Sequence, residues 1–110
     1  MAAKFDLKMS KNGRFTFNLK AANGQVILTS EMYNTKAAAE NGIASVQKNA
    51  AYDDRYERKV AKDGQHFFVL KAANLQVIGK SELYKAAASM EKGIASVKKN
   101  GPVAKIDDKA

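Results

Sequence analysis

Phe5, Leu7 and Met9 alternate with Asp6, Lys8 and Ser10, a period of two that predicts a strand with one buried face. Lys11-Asn12-Gly13 then reverses the chain, and Phe15, Phe17, Leu19 and Ala21 continue the apolar face with Arg14, Thr16, Asn18 and Lys20 outward. A two-residue loop would pair Lys8 with Phe17 and put charge among apolar side chains. A three-residue loop with Gly13 in the left-handed region pairs Leu7 with Phe17 and Met9 with Phe15, and this is the loop expected. Asn23-Gly24 predicts a two-residue turn that sets Leu28 opposite Leu19 and Val26 opposite Ala21. Three antiparallel strands follow, roughly 4–10, 14–22 and 25–30.

From Lys36 to Lys48 the period changes. Ala39, Ile43 and Val46 recur at helical spacing while Lys36, Glu40 and Gln47 face out. Asn34 or Thr35 is placed to cap the start and Asn49 to stop the helix. Gly42 inside it costs about 1 kcal/mol relative to alanine, which points to a close approach that a side chain would block.

The pattern then repeats. Leu19-Lys-Ala-Ala-Asn-Gly-Gln-Val-Ile27 returns as Leu70-Lys-Ala-Ala-Asn-Leu-Gln-Val-Ile78, an offset of 51 residues. Ser30-Glu31 meets Ser81-Glu82, Tyr33 meets Tyr84, and Gly42-Ile-Ala-Ser-Val46 meets Gly93-Ile-Ala-Ser-Val97. The offset runs without a gap from Phe5/Tyr56 to Ala50/Gly101, with about half the positions identical. Strands are therefore expected near 55–61, 65–73 and 76–81, and a second helix around Met90, Ile94 and Val97 ending at Asn100. Two copies in 110 residues predict one domain, with repeat 1 at about 4–54 and repeat 2 at about 55–107, each covering the other's apolar face. The fold class is α+β: two βββα repeats in one antiparallel sheet, pseudo-two-fold, with both helices on one face.

The ordered motifs, a glycine turn, Leu-Lys-Ala-Ala-Asn-Gly, Ser-Glu-x-Tyr and Gly-Ile-x-Ser-Val, resemble the YegP-like family of small bacterial proteins over Lys4 to Gly101. The resemblance implies repeats of three strands and a helix that share one sheet, and it brings no assigned function. It also implies that Ala50–Asp54 and Val103–Asp107, which composition leaves open as linkers or edge strands, are short strands exchanged between the halves. Leu75 departs from the pattern where a turn glycine is expected.

Chemistry is sparse. There is no cysteine, hence no disulfide, thiolate or cysteine metal site. One histidine, His66, occupies the place of Phe15 on the inward face and reads as a partly buried aromatic substitute. Asp53-Asp54 and Asp107-Asp108 are adjacent pairs that point opposite ways along a strand, so they form no acid/base dyad and serve as charged edge protection. Phosphate-loop, dinucleotide and serine-nucleophile fingerprints are missing, and no metal or cofactor is expected. The protein is not expected to be an enzyme. Nothing after Met1 reads as a signal peptide and no apolar run nears the roughly 18 residues of a membrane span, so the cytoplasm is the expected compartment.

The net charge of +8 leaves one surface of interest. The outward sheet face carries Lys8, Arg14 and Lys20 from the first repeat and Lys59, Phe67 and Lys71 from the second, with Val69, Ile27 and Ile78 also assigned to it. Basic residues interleaved with an aromatic suit a weakly sequence-specific RNA or single-stranded DNA binder. Against that, the 19 basic residues include arginine only at 14, 55 and 58, and the aromatic exists in one copy. A protein partner or self-association is expected ahead of nucleic acid, in a small non-catalytic interaction domain.

Overall fold

The computed structural model describes residues 3–110. Its elements in chain order are β1 (Lys4–Met9), β2 (Phe15–Lys20), β3 (Val26–Ser30), α1 (Lys36–Asn49), β4 (Tyr56–Val60), β5 (His66–Lys71), β6 (Val77–Lys80), α2 (Ala87–Asn100) and β7 (Lys105–Asp108). The strands form one sheet in the order β4-β5-β6-β3-β2-β1-β7. Its halves join where Thr29 pairs with Lys80 and Ser30 with Gly79. Thr29 and Lys80 are equivalents at the 51-residue offset, so the pseudo-two-fold axis runs through that pair.

Both helices lie on one face, and a single apolar core serves the two repeats. Phe5, Phe17, Leu19 and Leu28 pack with Phe68 and Leu70 beneath Ile43, Val46, Ile94 and Val97, all but inaccessible to water. The edge-to-face pair Phe5–Phe17, with ring centroids 5.8 Å apart, is repeated as Tyr56–Phe68 at 5.6 Å.

The β1–β2 loop has three residues as expected. Ser10 N–H donates to Arg14 O at 2.7 Å, Gly13 has φ +79°, and Leu7 faces Phe17. The β2–β3 loop differs from expectation. Ala21 N–H donates to Gln25 O at 2.9 Å, which closes three residues rather than two. One extra residue in the loop would slide every later side chain to the wrong face. A bulge at Ile27 takes up the slip: Lys20 pairs with Val26, yet Leu19 still pairs with Leu28. Val26 therefore does not face Ala21. Ile27 leaves the outward face and is buried on the helix side, and the same bulge buries Ile78.

Two further differences sit at the sheet edges. β7 pairs with β1 in parallel, with Phe5 beside Ile106, so the sheet is mixed. The exchange of strands is one-sided. Residues equivalent to Lys105–Asp108 are Asp54–Glu57, which run through a single 3-10 turn (Asp53–Arg55) straight into β4 and leave no chain for a separate strand.

Candidate functional site

The outward sheet face holds the six candidate residues in two groups. Lys8, Arg14 and Lys20 lie at β1 and β2, and Lys59, Phe67 and Lys71 at β4 and β5. With β3 and β6 between them, the groups stand roughly 14 Å apart at ordinary strand spacing. Each group is organised around a carboxylate. Asp6 is wholly buried, with Lys20 Nζ and Lys109 Nζ each 3.0 Å from one of its oxygens and Lys8 Nζ at 3.5 Å. Burial by itself would raise its pKa, but hydrogen bonds from Lys20 and Lys109 outweigh this and hold it at about 2. Glu57 is exposed. It contacts Lys71, with Lys59 Nζ at 3.8 Å, and the Lys71 hydrogen bond chiefly lowers its pKa. Lys80 Nζ lies 5.3 Å from the centre of the Phe67 ring. Arg14 is exposed and makes no ion pair among the described residues. Four of the five cations thus already hold a carboxylate. A phosphate would have to compete for them.

The sequence reading missed a pair of clefts on the helix side. One lies between α1 and the β5–β6 hairpin, about 470 Å³ in volume; the other lies between α2 and the β2–β3 hairpin, about 200 Å³, and adjoins a shallower hollow of about 430 Å³ along the same helix and hairpin. Each is built from the helix of one repeat and the hairpin of the other. In the larger, α1 contributes Asn41, Gly42 and Ser45, and the strand-to-helix junction contributes Glu31 and Tyr33. The hairpin contributes Ala72, Asn74, Gln76, Val77 and Ile78. Every one of the 11 lining positions recurs in the smaller cleft at the 51-residue offset, and nine keep the same residue. The exceptions are Ala38/Ser89 and Asn41/Lys92.

The repeated motifs hold this geometry. The Ser30 hydroxyl accepts from Phe17 N–H at 2.9 Å and donates to Glu31 O at 2.7 Å; Ser81 does the same with Phe68 N–H and Glu82 O. Each serine releases its chain from the sheet, and Tyr33 and Tyr84 then pair with Phe15 and His66. His66 is thereby a half-buried strand residue, as expected. A Cβ on Gly42 would meet the Tyr33 hydroxyl and lie 2.8 Å from Cζ, so glycine seats the tyrosine end-on against the helix. Gly93 seats Tyr84 likewise. Burial raises the pKa of both phenols.

The polar lining can be separated from turn-making by an internal control. Asn12 and Asp63 each accept from the N–H two residues on, at 3.2 and 3.0 Å, so asparagine and aspartate interchange there, followed by Arg14 or Gln65. Asn23 and Asn74 make the same bond, at 3.0 and 3.1 Å, yet their hairpins keep both Asn and Gln in each copy. The second does so even where Gly24 is replaced by Leu75 at φ +71°. Turn geometry alone does not demand that identity. This was the signal available in the sequence: exposed Asn and Gln that match between repeats although the contact they make with each other, at 3.4 Å in both copies, is made by Asp63 and Gln65 in another turn.

Fold and clefts together define a class, a duplicated α+β module in which each repeat's helix closes a site on the other repeat's hairpin. A family model described as a domain of unknown function (DUF1508) matches twice, at residues 10–57 and 61–108. A UPF0339 protein of Acinetobacter baylyi is 55% identical over 98% of this chain and 97% of its own. The UPF0339 protein YegP of Escherichia coli K12 is 52% identical over 98% of each. The solution NMR structure of yegP from E. coli superposes with a TM-score of 0.93 at 51% identity, covering 99% of this chain and 94% of that one. The chain belongs to the UPF0339 (YegP) family, whose members similar to it carry no assigned activity. No helix among the described residues is long and apolar enough to cross a membrane.

Proposed function

We propose that the protein is a small non-catalytic binding domain, acting through protein interactions, whose working surface is the pair of clefts. The observation that carries this reading is that the cleft hairpins keep the same exposed asparagine and glutamine in both repeats, at positions where the other hairpin turns have drifted. The outward sheet face supports a nucleic-acid role less well, because Lys8, Lys20, Lys59 and Lys71 each have a carboxylate within 4.0 Å. The cysteine-free composition suits a reducing cytoplasm.

The test is an amide NMR map of isotope-labelled protein mixed separately with nucleic acid and with nuclease-treated protein fractions of its host. The expected result is movement of Ser45, Asn74 and Gln76 resonances, and their offset partners, with protein fractions. Perturbation confined to Lys20 and Lys71 by nucleic acid, fading steeply with salt, would overturn the reading in favour of the sheet face.

A further inference from the structure

We propose that the larger cleft, between α1 and the β5–β6 hairpin, is a peptide site that receives an extended, uncharged or basic segment carrying an aliphatic side chain. The proposal rests on reading the clefts as binding surfaces and names what this one binds.

The shape comes from how the two halves part. Toward β3, β6 pairs only through Lys80 and Gly79, with one further bond from Glu31 N–H to Ile78 O at 3.3 Å. Beyond it the first chain turns away, because Tyr33 pairs with Phe15 on β2 instead, through bonds of 2.7 and 2.8 Å. Gln76 is closed off within its hairpin, its N–H donating to Asn74 Oδ1 and its carbonyl accepting from Ala72 N–H, and Val77 alone is left without a strand neighbour on that side, facing α1 across the wedge. A groove of this shape between a helix and a hairpin admits an extended segment, held by side chains along the groove rather than by an added strand ladder.

The lining chemistry selects the occupant. Asn41, Asn74 and Gln76 present carboxamides, each offering a donor and an acceptor as a peptide group does. Ala72, Val77 and Ile78 supply an aliphatic floor. The one charged residue of the lining is Glu31, which a lysine or arginine of the segment can pair with and which leaves no cation in the lining to hold a phosphate or carboxylate. A sugar usually wants an open aromatic face. Tyr33 instead stacks on Phe17, with planes 8° apart and centroids at 6.2 Å, and its hydroxyl end abuts Gly42.

Leu75 adds an independent sign. It sits between Asn74 and Gln76 at the hairpin tip, is 75% exposed, and holds φ +71°, a region costly for a side chain that glycine fills freely in the other hairpin. An exposed leucine in a strained conformation at the mouth of the larger cleft is explained if it closes over an aliphatic ligand group.

The experiment screens full-length protein against a bead-bound library of randomised, terminally capped hexapeptides, with a glycan array in parallel. Two further proteins are tested: Asn41→Ala/Gln76→Ala, which removes two carboxamides without adding charge and leaves Asn74 to accept its turn bond, and Leu75→Gly. The expected result is retention of peptides rich in aliphatic residues and lysine or arginine, weakened on the order of tenfold in the double variant, the effect of one or two lost hydrogen bonds. Leu75→Gly should bind those peptides several-fold more weakly while melting at a higher temperature. A merely structural Leu75 would not separate the two readouts. Selection of acidic peptides, or binding indifferent to all variants, overturns the proposal. Glycans that bind and depend on Gln76 overturn the peptide assignment but leave the cleft as a binding surface. Silence in both arms, with no amide shifts at Ser45 or Gln76, overturns both.

Discussion

Gly42 shows how much one missing atom decides. Gly42→Ala would gain up to about 1 kcal/mol of helix propensity but force Tyr33 out of its seat, and overpacking of this kind costs about 1–3 kcal/mol. We expect net destabilisation in urea unfolding, only partly relieved in Gly42→Ala/Tyr33→Phe, which removes the hydroxyl but keeps Cζ 2.8 Å from the new methyl. Asp6 is the other decisive side chain. Its folded pKa of about 2 lies below the unfolded carboxylate value near 3.9, so its contribution is complete above about pH 4 and is lost as pH falls toward 2. The loss is on the order of 2 kcal/mol, and Asp6→Asn should flatten that limb of an acid-unfolding curve. The glycine was legible in the sequence because helical spacing made it anomalous. Asp6 was not, since nothing local announces that Lys109, from the far end of the chain, will close over it.

The two helices are unequal at their starts. Thr35 accepts from Ala38 N–H at 3.0 Å, whereas Ala86, its counterpart, has no capping oxygen. Ala86→Thr should therefore stabilise the protein by about 1 kcal/mol in thermal or urea melts. Helices, strands and the first hairpin register were readable from periodicity, because each depends on residues close in sequence. The second hairpin was misread in its details. Asn-Gly suits two- and three-residue loops alike, and the choice is settled by a bulge several residues later, which restores Leu28 to Leu19. The same bulge moves Ile27 and Ile78 from the outward face to the helix side, and with them the floor of each cleft. The clefts themselves were hidden because each joins residues from opposite repeats.

At the scale of the molecule, buried residues that meet their own equivalents across the axis cannot both be large. Leu28 faces the space at Gly79, where a Cβ would lie 2.9 Å from Leu28 Cγ, and a Cβ on Gly101 would lie 2.7 Å from that of Ala50. Leu28 and Gly79, like Ala50 and Gly101, are offset partners. Gly79→Leu should destabilise by about 1–3 kcal/mol, and adding Leu28→Gly should recover much of the loss, measured as a double-mutant cycle. The shared sheet was foreseeable from a repeat too short to bury itself, but this asymmetry was not, since the sequence does not say which positions lie on the axis. It gives the duplication a direction. A first repeat paired with a second copy of itself would set Leu28 against Leu28 and Ala50 against Ala50, and a second repeat paired with itself would leave Gly79 and Gly101 each facing empty space. Separated halves of this chain, expressed together, should choose each other over themselves, and the fusion that joined them has become an obligate marriage of unlike partners.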